Sequence, residues 1–456
     1  MTRTMPTPAK KILMIAYHFP PDAAVGGLRP LKFAKYLPHY GWEPYVLTVR
    51  PRYYESLDQS RLHEVPFQTR VFRTAMLPHP NTMYKSMKGS YYRLTGRKQE
   101  FSQKLLEPSS DGHPESHDIL RRTRKLLSSL LWIPPDDVLG WLPIAVVKGI
   151  RLLRAHQITH IYTTNPPHTT HLVGLAIKNL CNVKWIADFR DLWLFEKPLQ
   201  TKTAERIEHW MERKVVENAD AIALTTDRMA DKFRRTYPGV KATKFSTIAN
   251  GYDADDFSSI SLAVKPQKFT LTYIGSFYDE RTPEPLLRAV SKLVAGGQIR
   301  ADALEIQLIG NCRYVKGQST DEMAASLGLS TVVQVIDAVP YRRALEYAVN
   351  SHLLVLLAPD QPYEIPGKAY EYLASGVDVL ALTQDGATAD LIRKTGGGTV
   401  VEPQDIEGIK TALSEQYEKW SSDHSCDQGR TRADTRMYER RELTGQLASI
   451  LGCLDA

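Results

Sequence analysis

From Phe269 onward, short apolar runs alternate with stretches whose apolar positions recur at helical spacing. The runs Phe269–Phe277, Leu304–Gly310, Val332–Asp337, His352–Pro359 and Val377–Thr383 predict strands. Between or after them, Pro283–Ala295, Tyr341–Asn350, Lys368–Ser375 and Ala387–Lys394 predict helices. Unbroken Val/Ile/Leu strands separated by helices imply a parallel sheet covered on both faces, hence a doubly wound domain. The first half repeats the pattern less cleanly. Strands are expected at Lys11–Phe19, Glu43–Val49, His160–Thr164, Lys184–Phe189 and Ala221–Thr225, with helices at Pro30–His39, Thr170–Leu180 and Ala204–Asn218. Asn250–Gln267 has turn signals and no apolar period, which suits a connection between domains.

Composition narrows the class. A chain of 456 residues is too long for one core and fits two α/β domains. The hydrophobic fraction of 43% and charged fraction of 24% belong to a globular protein. The four cysteines, Cys181, Cys312, Cys426 and Cys453, form no ligand spacing, so neither a disulfide framework nor a zinc site is expected. No run approaches the roughly 18 apolar residues that would span a bilayer, and a cytoplasmic location is expected. Net charge is a moderate +7, and a polar, basic stretch at about 77–125 includes Lys85, Lys88, Arg93, Arg97 and Arg121. This stretch reads as a solvated insertion, or as a lid or surface for phosphate- or lipid-bearing acceptors at the inner membrane face. Residues 430–456 predict a charged C-terminal helix, packing back on the N-terminal domain. The basic residues are dispersed and no nucleic-acid module is present.

The chemistry concentrates in Pro366-Gly367-Lys368-Ala369-Tyr370-Glu371-Tyr372-Leu373-Ala374-Ser375-Gly376. Pro-Gly closes a loop after a buried strand, and the amides of Gly367 to Ala369 at the helix start favour an anion. Lys368 adds a positive charge there. Glu371, one turn on, can accept hydrogen bonds from the two hydroxyls of a ribose. In the first half, Gly26 and Gly27 follow the first strand and allow close backbone approach to a phosphate or sugar, with Arg29 just beyond. Thr163–His171 and Ala187–Trp193 follow two further strands. There His168 and Asp191 are candidates to orient an acceptor hydroxyl, Asp188 and Arg190 can form a bracing ion pair or take part in the chemistry directly, and Trp193 suits stacking on a sugar or packing in the core. There is no GxGxxG fingerprint, so no nicotinamide or flavin cofactor is indicated.

The Glu371-to-Gly376 segment resembles the donor-binding motif of family 4 glycosyltransferases, in which Glu precedes a Leu/Met-Ala-x-Gly turn. Phe269-Thr-Leu-Thr-Tyr-Ile-Gly-Ser-Phe resembles the opening of that family's second domain, and Ile248–Phe257 resembles its Asn-Gly-x-Asp hinge. The resemblance implies a GT-B fold, with an acceptor domain at 1–255 and a nucleotide-sugar domain at 256–429 facing across a cleft. It implies that Arg281, six residues after Gly275, takes the place of the phosphate-binding Lys. The family often has two glutamates separated by seven residues. Here Tyr363 holds the first position and Glu364 follows one residue late, so Glu364 is the candidate for the donor-sugar contact. The resemblance further implies retention of anomeric configuration, with Arg281, Lys368 and the helix start stabilising the leaving diphosphate. No metal is expected, since no convincing Asp-x-Asp motif is seen. The donor would be a UDP- or GDP-sugar and the acceptor a glycan, lipid-linked or other glycoconjugate, in surface polysaccharide synthesis. Competing readings are a non-catalytic nucleotide-sugar-binding scaffold and a nucleotide-sugar epimerase on the same fold.

Overall fold

The computed structural model describes residues 9–78, 135–193, 202–258, 260, 266–278, 280–422 and 435–455. The chain divides into two compact units. One gathers Met1–Ala223, Tyr237–Lys244 and Ile450–Ala456, the other Leu224–Thr236 and Phe245–Ser449. Beyond Pro78, the basic stretch expected at 77–125 lies outside the described residues, as do residues 430–434 of the tail. A helix covers Arg440–Cys453, and after it Asp455 lies 2.5 Å from Lys10 Nζ and 3.0 Å from His160 Nε2.

The first sheet comprises β1 (Lys10–Ile15), β2 (Trp42–Val49), β3 (Arg70–Thr74), β4 (His160–Asn165), β5 (Lys184–Phe189), β6 (Ala221–Leu224) and β7 (Phe245–Thr247), in the order β3-β2-β1-β4-β5-β6-β7. β1 runs parallel to both β2 and β4. Ile12, Leu13, Met14 and Ile15 are all sealed from solvent, as strands covered on both faces must be. β1 ends four residues before the expected Phe19, where the chain turns toward Pro20 and Pro21, which have no N–H for a ladder. β3 is an edge strand of half-exposed residues, and its sequence carries no apolar run to announce it.

The second unit holds β8 (Phe269–Ser276), β9 (Leu304–Asn311), a short hairpin of β10 (Tyr314–Val315) and β11 (Gln318–Ser319), then β12 (Val333–Ile336), β13 (Leu353–Leu357), β14 (Val379–Leu382) and β15 (Gly398–Val401). Its main sheet is ordered β12-β9-β8-β13-β14-β15. Side chains alternate between two cores along β13. Leu353, Val355 and Leu357 join Phe269, Leu271 and Leu287 on one face, while Leu354 and Leu356 join Ala369, Tyr370 and Tyr372 on the other. β15 begins in the glycine run Gly396–Gly398, which hid it from a reading of apolar runs.

Strand order reverses between β1 and β4 in one sheet, and between β8 and β13 in the other. At such a switch point the flanking loops part and leave a crevice outside the carboxyl ends of the strands. The first unit fills the interior beside its crevice with a closed polar network. Asp188 near the end of β5 accepts hydrogen bonds from Arg29 Nη2 at 2.7 Å and Nε at 3.0 Å, from Tyr162 Oη at 2.5 Å and from Thr164 Oγ1 at 2.8 Å. Burial would raise the carboxyl pKa, but Arg29 and these hydroxyls outweigh it and hold Asp188 below its ordinary value. The network ties the helix Leu28–Tyr36 to β4 and β5. Replacing Arg29 by Met leaves Asp188 charged and unpaired, and is expected to cost about 3–5 kcal/mol in urea unfolding. The Arg29→Met, Asp188→Leu pair is expected to recover part of that loss.

Candidate active site

In the second unit the crevice is built from bare backbone and two cations. Gly275 closes β8 with φ +150°, directly opposite Gly310 of β9, which has φ +118°. A Cβ on Gly275 would lie 2.1 Å from Lys368 Nζ, and one on Gly310 would lie 2.2 Å from the Gly275 carbonyl oxygen. Both positions therefore require glycine, for backbone conformation and for space. Into this gap the helix Gly367–Ser375 sends Lys368, whose ammonium sits 3.3 Å from Tyr273 Oη and 4.4 Å above the Tyr273 ring. Arg281 stands on the loop after β8, 8% exposed, with its guanidinium 4.6 Å above the Tyr278 ring. Its Nη2 reaches Gln361 Oε1 at a long 3.4 Å, and its buried Nε has no partner.

Neither cation is neutralised by a carboxylate among the described residues. Glu280, the acidic neighbour of Arg281 in sequence, pairs instead with Lys316 at 2.7 Å, and Asp279 lies outside the described residues. Burial, and next the Arg281 charge, push the Lys368 amine down to about 7. Such a pair is poised for an anion, which would remove the repulsion and draw Lys368 fully into its charged form.

The remaining residues expected here are placed as follows. Glu371 lies one turn beyond Lys368 and accepts a 2.8 Å hydrogen bond from Tyr341 Oη, and burial raises its pKa. The Ala369 amide is not open to an anion, because it donates to the Pro366 carbonyl at 2.9 Å. That corrects the expected trio of amides to Gly367 and Lys368. Tyr363 and Glu364 sit on the preceding loop, which is pinned at three carbonyls. Pro362 accepts from the Ala387 amide at 3.0 Å, Tyr363 from Thr226 Oγ1 at 2.5 Å, and Glu364 from Thr388 Oγ1 at 3.3 Å. The Tyr363 ring lies under Lys232 at 4.8 Å. Tyr273 and Tyr341 were not singled out from sequence, since a tyrosine inside a strand and one opening a helix both read as packing.

In the first unit Gly26 and Gly27 end a turn that leads into the helix Leu28–Tyr36. A Cβ on Gly26 would come within 3.2 Å of both Arg190 Nη1 and His18 Cδ2. Arg190 donates to the carbonyls of Gly26, Asn165 and Pro166, the last at 2.8 Å, so it braces three loops and does not pair with Asp188 as expected. Arg29, expected to reach an anion, is spent on Asp188. His168 opens the helix Thr169–Leu180 and stacks on Trp193 at 4.6 Å, with Asn165 Nδ2 3.0 Å from its Nδ1. Burial lowers its pKa to about 3, so the ring is neutral and a weak base at neutral pH. Trp193 gives a face to His168 and is 5% exposed, so of its two expected roles the structure supports core packing and not sugar stacking. The Asp191 carbonyl accepts from Asn165 Nδ2 at 3.1 Å, and burial raises the Asp191 carboxyl pKa.

Comparison with known proteins places the chain in a family. Residues 106–251 match the model for the glycosyl transferase 4-like domain, and residues 268–419 match that for glycosyl transferases group 1, together well over half of the chain. The chain belongs to the family 4, group 1 glycosyltransferases. Among curated relatives, D-inositol 3-phosphate glycosyltransferase 2 of Catenulispora acidiphila is 25% identical over 213 residues, covering 44% of this chain and 49% of that protein. The matched region thus spans about half the length of such relatives. Two solved structures share the fold over nearly their whole length. Sucrose-phosphate synthase from Thermosynechococcus elongatus has a TM-score of 0.61 at 16% identity, covering 98% of this chain and 99% of that one. Anabaena Alr3699/HepE in complex with UDP-glucose has a TM-score of 0.58 at 13% identity, covering 97% and 99%. The glycosyltransferase therefore has the GT-B fold, with two parallel-sheet α/β units.

The depressed Lys368 amine has a stability consequence of definite sign. Below about pH 7 both folded and unfolded chains carry the charge, and the full cost of burying it falls on the fold. Between about 7 and the ordinary lysine value near 10.5, only the unfolded chain keeps the proton, so stability rises with pH. Lys368→Met is expected to raise the melting temperature of the ligand-free protein at pH 6, with a gain that shrinks toward pH 10. Thermal unfolding across that range is the measurement.

Proposed function

We propose that this glycosyltransferase moves a hexose, with retention of anomeric configuration, from a UDP- or GDP-sugar to a glycan, lipid-linked or other glycoconjugate acceptor. The observation that carries the reading is the pair of buried cations, Arg281 and Lys368, at the switch point between β8 and β13, with no carboxylate partner among the described residues. In the reaction, the bond from the sugar's anomeric carbon to the β-phosphate oxygen breaks, and a bond from that carbon to the acceptor oxygen forms. The acceptor proton passes to an oxygen of the departing diphosphate on the same face. Negative charge grows on that diphosphate, and Arg281, Lys368 and the Gly367 and Lys368 amides stabilise it without a metal. The second oxygen of Glu371 takes a ribose hydroxyl, and Glu364 takes the donor sugar.

Under this reading the first unit holds the acceptor beside Gly26, Gly27 and Asp191. His168, neutral at working pH, orients a hydroxyl by hydrogen bonding and is not a strong base. The inositol phosphate in the curated relatives' names supports an acceptor bearing phosphate. A place in surface polysaccharide synthesis, with the protein cytoplasmic and in contact with the inner membrane face through its basic stretch, completes the proposal. Among the described residues no helix is long and apolar enough to cross a membrane.

Thermal shift with UDP, GDP and ADP separates the donors. The cognate diphosphate at a hundred times its dissociation constant should stabilise the protein by roughly 2.7 kcal/mol. Arg281→Ala should lose most of that gain. A flat response to every nucleotide at millimolar concentration would favour the scaffold reading over catalysis.

A further inference from the structure

At the carboxyl ends of β2 and β3, the first unit carries a second concentration of positive charge. Arg50 follows β2, Arg73 lies near the end of β3, and Lys148 and Arg151 project one turn apart from the helix Leu142–His156. With Leu77 and Val147 they line an open groove of about 580 Å³ that contains no acidic residue. Among the described residues, none of the four cations pairs with a carboxylate. Arg73 donates to the Pro20 carbonyl at 2.7 Å and has a buried Nε with no partner. Lys148 rests 5.1 Å above the Phe72 ring. Around Arg73, Lys148 and Arg151 the local sequence offers no counter-charge, since there is no acidic residue from Val65 to Leu77 or between Asp137 and Asp188.

The apolar part of the groove is equally unusual. Leu77 is 50% exposed and Val147 49% exposed, directly beside the cations. A soluble phosphate would use the charges and leave these side chains in water. An amphiphile uses both. The Leu77 amide is bonded to the Gly140 carbonyl at 3.1 Å, so the chain leaves for residues 79–134 and returns beside this same groove. By sequence, that stretch is strongly basic.

We propose that the groove is a docking site for anionic phospholipid at a bilayer surface, with Arg50, Arg73, Lys148 and Arg151 taking headgroup phosphates while Leu77 and Val147 enter the acyl boundary. This rests on the membrane-contact part of the proposed function and moves it onto described residues, and it does not depend on donor chemistry. Several cations beside a few apolar side chains give reversible, salt-sensitive attachment to an anionic leaflet.

The test is co-sedimentation of the full chain with vesicles of phosphatidylcholine alone, or mixed with phosphatidylglycerol, at low and high salt. Wild type is expected to bind only the mixed vesicles and to release in high salt. The double variant Arg50→Gln, Arg151→Gln alters exposed side chains only. It is expected to bind on the order of tenfold or more weakly, as is Val147→Asp, with melting temperature and nucleotide-induced shift unchanged. Binding of both variants equal to wild type would overturn the proposal and move membrane contact elsewhere on the chain. Failure of wild type to bind any vesicle would overturn the membrane reading itself. A melting shift with inorganic phosphate that the double variant loses, without vesicle binding, would overturn the lipid assignment in favour of a soluble phosphate site.

Discussion

Two cations held largely out of water, with no carboxylate among the described residues to balance them, set the terms for the second unit. Burying one uncompensated charge is costly, and placing a second beside it adds repulsion. The surrounding structure accommodates this arrangement at several points. Gly275 and Gly310 give up side chains so that the Lys368 ammonium can lie against the end of β8. Tyr273 offers its ring and hydroxyl in place of a counter-ion. The amine's fall to about 7 marks the part of the cost that remains. A site that stores this unfavourable energy when empty gains most from the one ligand that relieves it, an oxyanion of high charge.

The first unit treats its charges in the opposite way. Arg29 is consumed by Asp188, and Arg190 is consumed by backbone carbonyls, so the interior beside the switch point of β1 and β4 is closed and electrically quiet. His168 and His171 are both driven to about 3 by burial and stay neutral at working pH. One unit thus offers an unsatisfied cationic pocket suited to a diphosphate. The other offers neutral hydrogen-bonding groups on a rigid frame, which suits a hydroxylated acceptor. A separate cluster of cations, Arg50, Arg73, Lys148 and Arg151, lines the groove at the carboxyl ends of β2 and β3.

Much of the architecture was legible because a parallel sheet buried on both faces writes itself as unbroken apolar runs. Phe269–Ser276, Lys184–Phe189 and Tyr341–Asn350 fall where their patterns point, within a residue or so. β3 and β15 escaped because an edge strand and a glycine-led strand carry no such run. At the site, residue types at loop ends were readable, while their partners were not. Asp188 and Arg190 stand two apart in sequence and suggest a pair, yet the fold brings Arg29 from 159 residues away to take Asp188. Arg281 beside Glu280 suggests a surface ion pair, yet Lys316 takes the glutamate and leaves the arginine without a carboxylate partner among the described residues. The depth of Lys368, and hence its lowered pKa, depends on packing between segments nearly a hundred residues apart. No local pattern encodes that.

The central claim is that Arg281 and Lys368 form a diphosphate site whose lysine, at pH 8, is largely neutral until the ligand arrives. Calorimetric titration of the cognate nucleoside diphosphate at pH 8, in buffers of different ionisation enthalpy, counts the protons exchanged on binding. The account predicts net uptake approaching one proton, about what a lysine near 7 must gain to become charged, and little uptake at pH 6. Tight binding at pH 8 with no proton uptake, or uptake unchanged in Lys368→Met, would contradict it.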